Sequence, residues 1–224
     1  MTAPTSRLPL VLALASAALG LTFALFTGHV WEDYFITFRS SLNLATGHGL
    51  VYEPGQRVHS FTSPLGTLLP AVFALGGGEN VIPRALWCYR LVCAAALGTA
   101  LWLALRTMRR DGLAPVAIGA AGLGWALDPK VLDFTVNGME LGLLILFIAV
   151  TWHALTQGAR LGPCALGFAG LQWTRPDGCV FFGVLAIAWI LFGRNENAGV
   201  TCTWRQRSGA VARGLALGAL AYLP

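Results

Sequence analysis

The residues able to do chemistry in this sequence are few, and apolar runs surround them. Glu32 and Asp33 are adjacent and follow directly on the uncharged stretch from Leu8 to Gly28. Two carboxylates at the end of a membrane-length run are costly unless they face water or a cation, so they form the first candidate site. A positioned carboxylate is also a general base. Arg39 lies six residues after Asp33, either as a cation for an anionic group or as an interfacial arginine snorkelling to water. Glu140 opens a later apolar run, where an acid favours the helix dipole whatever else it does. Arg175 and Asp177 flank Pro176 between two short apolar runs and could pair with each other or hold an anionic group. His48 and His59 stand eleven residues apart in one polar segment. With no third ligand beside them they read as loop polarity rather than a metal site, and no metal ligand is assigned.

These residues must be positioned by membrane helices. Of 224 residues, 56 % are hydrophobic and 11 % charged, against roughly 25 % charged in ordinary soluble domains. Mean hydropathy is +0.65. That excludes a soluble globular protein and a disordered one, and the continuous runs exclude a transmembrane barrel. The fold class is all-α, a polytopic membrane protein of about six to seven transmembrane helices. Expected spans are 8–28, 86–105, 112–127, 141–159, 161–174, 178–193 and a run from 214 onward, each measured against a bilayer core of ~30 Å. Segment 29–83 is an outer loop bearing interfacial helices, and 84–224 holds the further spans. Within the loop, Asp33, Phe35–Phe38 and Leu42–Leu44 have the spacing of a short amphipathic helix, ended by Gly47 and Gly49.

One run, 58–78, is uncharged but contains Pro64, Pro70 and three glycines. If it dips into the outer interface instead of crossing, nine basic residues fall inside and six outside, as the positive-inside rule requires. Eight of the ten carboxylates then gather on the outer face. Fourteen of the fifteen basic residues are Arg, Lys130 being the exception. With many Ala and Gly, this suggests a GC-rich bacterial genome, hence a bacterial plasma membrane; the count of basic residues goes with a cytoplasmic N-terminus, and the gathered carboxylates with an active face outside. The basic residues form no dense block, so nucleic acid is not an expected partner. The five cysteines make no CxxC pair and read as small buried hydrophobes.

Three stretches, WEDYFITFR, NLATGHGLVYEPGQRV and FTSPLGTLL, resemble the first outer loop of the GT-C membrane glycosyltransferases. The likeness is nearest to the branch of terminal β-arabinofuranosyltransferases and strongest over 31–69. TVNGME (135–140) and TRPDG (174–178) resemble two later motifs of that branch. The resemblance implies transfer of a sugar from a polyprenyl-phosphate donor to a hydroxyl of a cell-envelope glycan or lipid, at the outer surface of the membrane. It implies that a carboxylate of the acidic pair is the general base, Asp33 with Glu32 as its partner. Arg39, Glu140, Arg175, Asp177 and His59 are then expected at the substrates. Some such enzymes use a divalent cation and others do not, so the cofactor stays open. The sequence departs from the branch with Glu32 for Asp, Tyr34 for a small residue and Gly66 for Trp. Enzymes of the branch are about twice this length, so the chain reads as an N-terminal module. A lipid-linked-sugar transporter or a non-catalytic scaffold are the rival readings; a transporter is expected to carry paired repeats of broken helices, and none is visible.

Overall fold

The computed structural model describes residues 7–56, 61–193 and 203–222. Among them are ten α-helices and no strand: α1 (Leu8–Thr27), α2 (Glu32–Ala45), α3 (Pro64–Ala74), α4 (Val81–Arg110), α5 (Pro115–Ala126), α6 (Pro129–Val136), α7 (Leu141–Thr156), α8 (Leu161–Thr174), α9 (Gly178–Phe192) and α10 (Trp204–Tyr222).

Proline and caps set most of the helix starts. Pro9, Pro64, Pro115 and Pro129 lie in the first turns of α1, α3, α5 and α6, where a missing N–H has no cost. Ser63 caps α3 by accepting from the Gly66 N–H at 2.9 Å. Asp128 caps α6 by accepting from the N–H groups of Lys130 and Val131.

Two helices, α1 and α4, are long and apolar enough to cross a bilayer. The pair α6–α7 makes a third candidate, bent by 110° at the turn between them. Six to seven full-length spans are not seen. Helices α5, α8 and α9 have 12, 14 and 15 residues, about 18–22 Å at 1.5 Å per residue. The turns that cut them short are those at Pro115, at Gly158 and Ala159, and at Pro176. The second expected span, 86–105, is a longer helix, 81–110, and the last begins ten residues earlier than its apolar run.

Helix α4 is the axis of the fold, with α1 and α7 packed along it. The α1–α4 crossing is tight: a Cβ on Gly98 would lie 2.8 Å from the Ala13 carbonyl oxygen, the close backbone approach that small residues permit between membrane helices. One apolar core joins α7 to α8, α9 and α10 around Leu155, Leu171, Phe182 and Trp189. A second joins α2, α3, α4 and α7 around Tyr34, Phe38, Tyr89 and Cys93. On α9, Val180, Val184, Ile187 and Leu191 are 60–65 % exposed; the spacing makes one continuous apolar ridge, suited to lipid rather than water.

A buried arginine ties the entry of α2 to the end of α6. Arg90, 3 % exposed, donates from Nε to the Val136 carbonyl at 2.8 Å and from Nη2 to the His29 carbonyl at 2.7 Å. Its guanidinium lies 4.7 Å from the ring centre of Trp87. Replacing it by Met keeps most of the bulk and orphans both carbonyls. Arg90→Met should lower stability by about 3 kcal/mol, read as a fall in the thermal midpoint of the detergent-solubilised protein.

Candidate active site

The acidic pair does not end the first membrane helix, as the sequence suggested. Helix α1 stops at Thr27, and Glu32 and Asp33 form the first turn of α2, where the helix dipole favours acids. The intervening linker is pinned. The Trp31 N–H donates to the Asn137 carbonyl at 2.9 Å, and its ring stacks on Phe134 at 4.9 Å. Together with Arg90, these bonds set Asp33 against the turn that carries Glu140.

That turn is TVNGME. Gly138 has φ of +101°, and a Cβ there would sit 2.6 Å from the Cβ of Tyr34. A side chain at 138 would therefore be strained by both backbone and contact. Tyr34 itself is 2 % exposed and stacks on Phe38 and Tyr89. It points into the core and not into the cleft described below, and burial pushes its phenol pKa up.

The cleft, about 340 Å³, is lined by Asp33, Ile36 and Thr37 of α2, by Phe61–Ser63 and Gly66, by Gly138–Glu140 and by Arg175. Ser41 fastens its α3 wall by donating to the Thr67 carbonyl at 2.8 Å, both residues being fully buried. Arg175 stands at the end of α8 in extended conformation. Its Nε donates to Asp177 at 3.0 Å and its Nη1 to Glu140 at 3.2 Å. The Asp177 hydrogen bond foremost, helped by the field of Glu140, pushes the guanidinium pKa up against the opposing effect of partial burial. Asp33 has neither an ion pair nor a hydrogen bond through its side chain among the described residues. The cleft thus offers one unengaged carboxylate, one carboxylate bound to a cation, and that cation.

The remaining candidates separate. Glu32 is exposed and absent from the lining. Arg39 lies on the other side of α2: it donates to the Tyr52 carbonyl at 3.1 Å, pairs with Glu53 at 3.4 Å and covers the Tyr52 ring. Asn43 donates to the carbonyls of Val51 and Tyr52, so Arg39 and Asn43 fold the loop after α2 back onto it. His48 bonds to Thr46. His59 lies outside the described residues. Among those residues no group of three or more His, Cys, Asp or Glu comes together to hold a metal. Sequence reasoning missed Arg90 as the organiser, although a lone charge inside an apolar run is a signal in itself.

Curated relatives match across most of the chain. It is similar to terminal β-(1→2)-arabinofuranosyltransferases. The protein of that name from Corynebacterium glutamicum is 28 % identical over 189 residues, 71 % of this chain and 26 % of the relative. That from Mycobacterium tuberculosis is 27 % identical over 192 residues, 79 % of this chain and 29 % of the relative. The chain therefore spans little more than a quarter of the length of these curated relatives. No family profile matches it, and no solved structure does.

The two carboxylates on Arg175 differ in exposure, 11 % for the Glu140 side chain and 57 % for Asp177. Glu140→Gln should therefore lower stability more than Asp177→Asn, each by about 1 kcal/mol or less, read from the thermal midpoint. Asp33→Asn, which breaks no bond, should stay within about 0.5 kcal/mol of wild type.

Proposed function

We propose that this chain carries the catalytic cleft of a membrane glycosyltransferase. It moves an arabinofuranosyl or related sugar from a polyprenyl-phosphate donor to a hydroxyl of a cell-envelope glycan or lipid. The observation that carries the reading is the shared cleft: an unengaged carboxylate, Asp33, and a fixed cation, Arg175, line one cavity. The names of the two relatives support the sugar and the reaction type.

The chemistry follows from the two groups. A sugar hydroxyl is a poor nucleophile, so Asp33 takes its proton as the oxygen attacks the anomeric carbon. The bond from that carbon to the phosphate oxygen breaks, and negative charge stays on the leaving phosphate. Arg175 holds that charge through a planar fork of donors. Glu140 and Asp177 orient Arg175. Arg39 acts indirectly, by fastening the loop after α2.

The reading places the cleft at the outer surface of the bacterial plasma membrane, with the N-terminus cytoplasmic and the short helices completing a multi-pass bundle. The distribution of charge along α4 supports this. Its first half meets the cleft turn through Cys93 and Met139. Its far end carries Arg106, Arg109 and Arg110, the basic end expected on the cytoplasmic side.

The test is transfer from a labelled polyprenyl-phosphate arabinofuranose to an arabinofuranoside acceptor in membranes containing the chain. Asp33→Asn should lower turnover by about a hundredfold or more while Glu32→Gln retains most of it. Turnover unaffected by Asp33→Asn would remove Asp33 as the base. Donor binding without any transfer by wild type would favour a non-catalytic scaffold.

A further inference from the structure

The polar side chains that line the cleft are those of Asp33, Thr37, Thr62, Ser63, Glu140 and Arg175. Some of them are already engaged. Glu140 and Arg175 bond to each other, and the Ser63 oxygen accepts from the Gly66 N–H at the start of α3. Thr62 is exposed on the loop before α3. Asp33 and Thr37 remain on the α2 wall, and the chemistry proposed above uses Asp33 alone.

The Thr37 hydroxyl is free where other helical threonines are tied. A threonine inside a helix commonly donates back to a carbonyl three or four residues earlier. Thr67, Thr99, Thr107, Thr151 and Thr174 all do so, at 2.7–2.9 Å. Thr37 does not: its side chain has no hydrogen-bond partner among the described residues, although the Ser41 hydroxyl reaches its carbonyl. Nor is its oxygen sealed in, as the unbonded hydroxyls of Tyr34 and Thr135 are. Thr37 is half-buried and lines the cleft, so a molecule bound there can reach the hydroxyl.

Helix α2 sets where that hydroxyl stands. Asp33 and Thr37 are four residues apart, so they share one face of the helix, with Cβ atoms about 5–6 Å apart. A sugar ring presents two hydroxyls across a comparable span. We propose that Thr37 is a specificity residue for the acceptor: the sugar whose attacking hydroxyl gives its proton to Asp33 places a second hydroxyl against Thr37 Oγ1. This rests on the glycosyltransferase reading for the nature of the ligand. The acceptor then lies along the α2 wall, and the donor phosphate stays at Arg175. A threonine hydroxyl both donates and accepts, which suits a sugar hydroxyl in either role. Thr37 makes and breaks no covalent bond; it selects and orients the acceptor ring.

Thr37→Val keeps the shape and removes the hydroxyl, whereas Thr37→Ser keeps the hydroxyl. Kinetics with polyprenyl-phosphate arabinofuranose and an arabinofuranoside oligosaccharide, each varied separately, read the effect. The expected result for Thr37→Val is an acceptor KM raised about fivefold, with the donor KM and the thermal midpoint unchanged. Thr37→Ser should return the acceptor KM to within twofold of wild type. A set of monodeoxy arabinofuranosides gives a second readout: the compound lacking the contacted hydroxyl should bind wild type and Thr37→Val equally. An unchanged acceptor KM in Thr37→Val overturns the proposal, and so does a rise confined to the donor. Should wild type show no turnover, titration calorimetry with the same oligosaccharide gives the comparison: about fivefold weaker binding to Thr37→Val supports the contact, and equal binding refutes it. Asp33→Asn is run in parallel. Full turnover in that variant defeats the catalytic reading alone, whereas an unchanged acceptor KM in Thr37→Val defeats this inference alone.

Discussion

The site depends on one guanidinium in the core. Arg90 extends from the middle of the fold and binds the carbonyls that end two separate segments, His29 before α2 and Val136 at the end of α6. A charge at such depth is tolerated because backbone oxygens and an aromatic face surround it. In return it fixes the distance between two turns that are far apart in sequence. Asp33 and Glu140 share a cleft because the segments leading to each are held by the same side chain. The Trp31–Asn137 backbone bond and the Trp31–Phe134 stack add direction to that constraint.

From this anchor the rest is assembled by short contacts. Gly138 lets the turn close over Tyr34, and Tyr34 in turn packs α2 against α4. The α3 wall is fastened by Ser41 and Thr67. Arg175 closes the opposite side, shared between a nearly buried and an open carboxylate. Fixed charges in a partly enclosed cleft interact more strongly than they would in water.

Much of this was legible in the chain itself. The all-helical class followed from scarce charge and long apolar runs, and the amphipathic segment after the first run is α2. Asp33, Glu140 and Arg175 were picked out separately by residue type and motif, and the structure brings them to one cleft. Span counting was less reliable: the boundaries of the later helices agree closely with the apolar runs, but those helices are short, and two helices, or three with the bent pair, are long and apolar enough to cross a bilayer. The short helix α6, which meets α7 at a bend of 110°, was not expected as an element. Side-chain direction was equally hidden. Arg39 and Asp33 lie on one helix, yet six residues amount to 1.7 turns and leave them on different sides. Arg90 was visible only as an interruption, since its two acceptors are backbone carbonyls that no residue type announces.

The lining of the cleft divides into an anchored part and a freer one. The segments that carry its charged groups are held by the bonds of Arg90 and Trp31 and, at Arg175, by two ion pairs. Ile36, by contrast, contributes shape alone: its side chain lines the cleft and is half exposed. A different side chain at 36 can therefore reshape the cleft while Asp33, Arg175 and the frame between them stay in register.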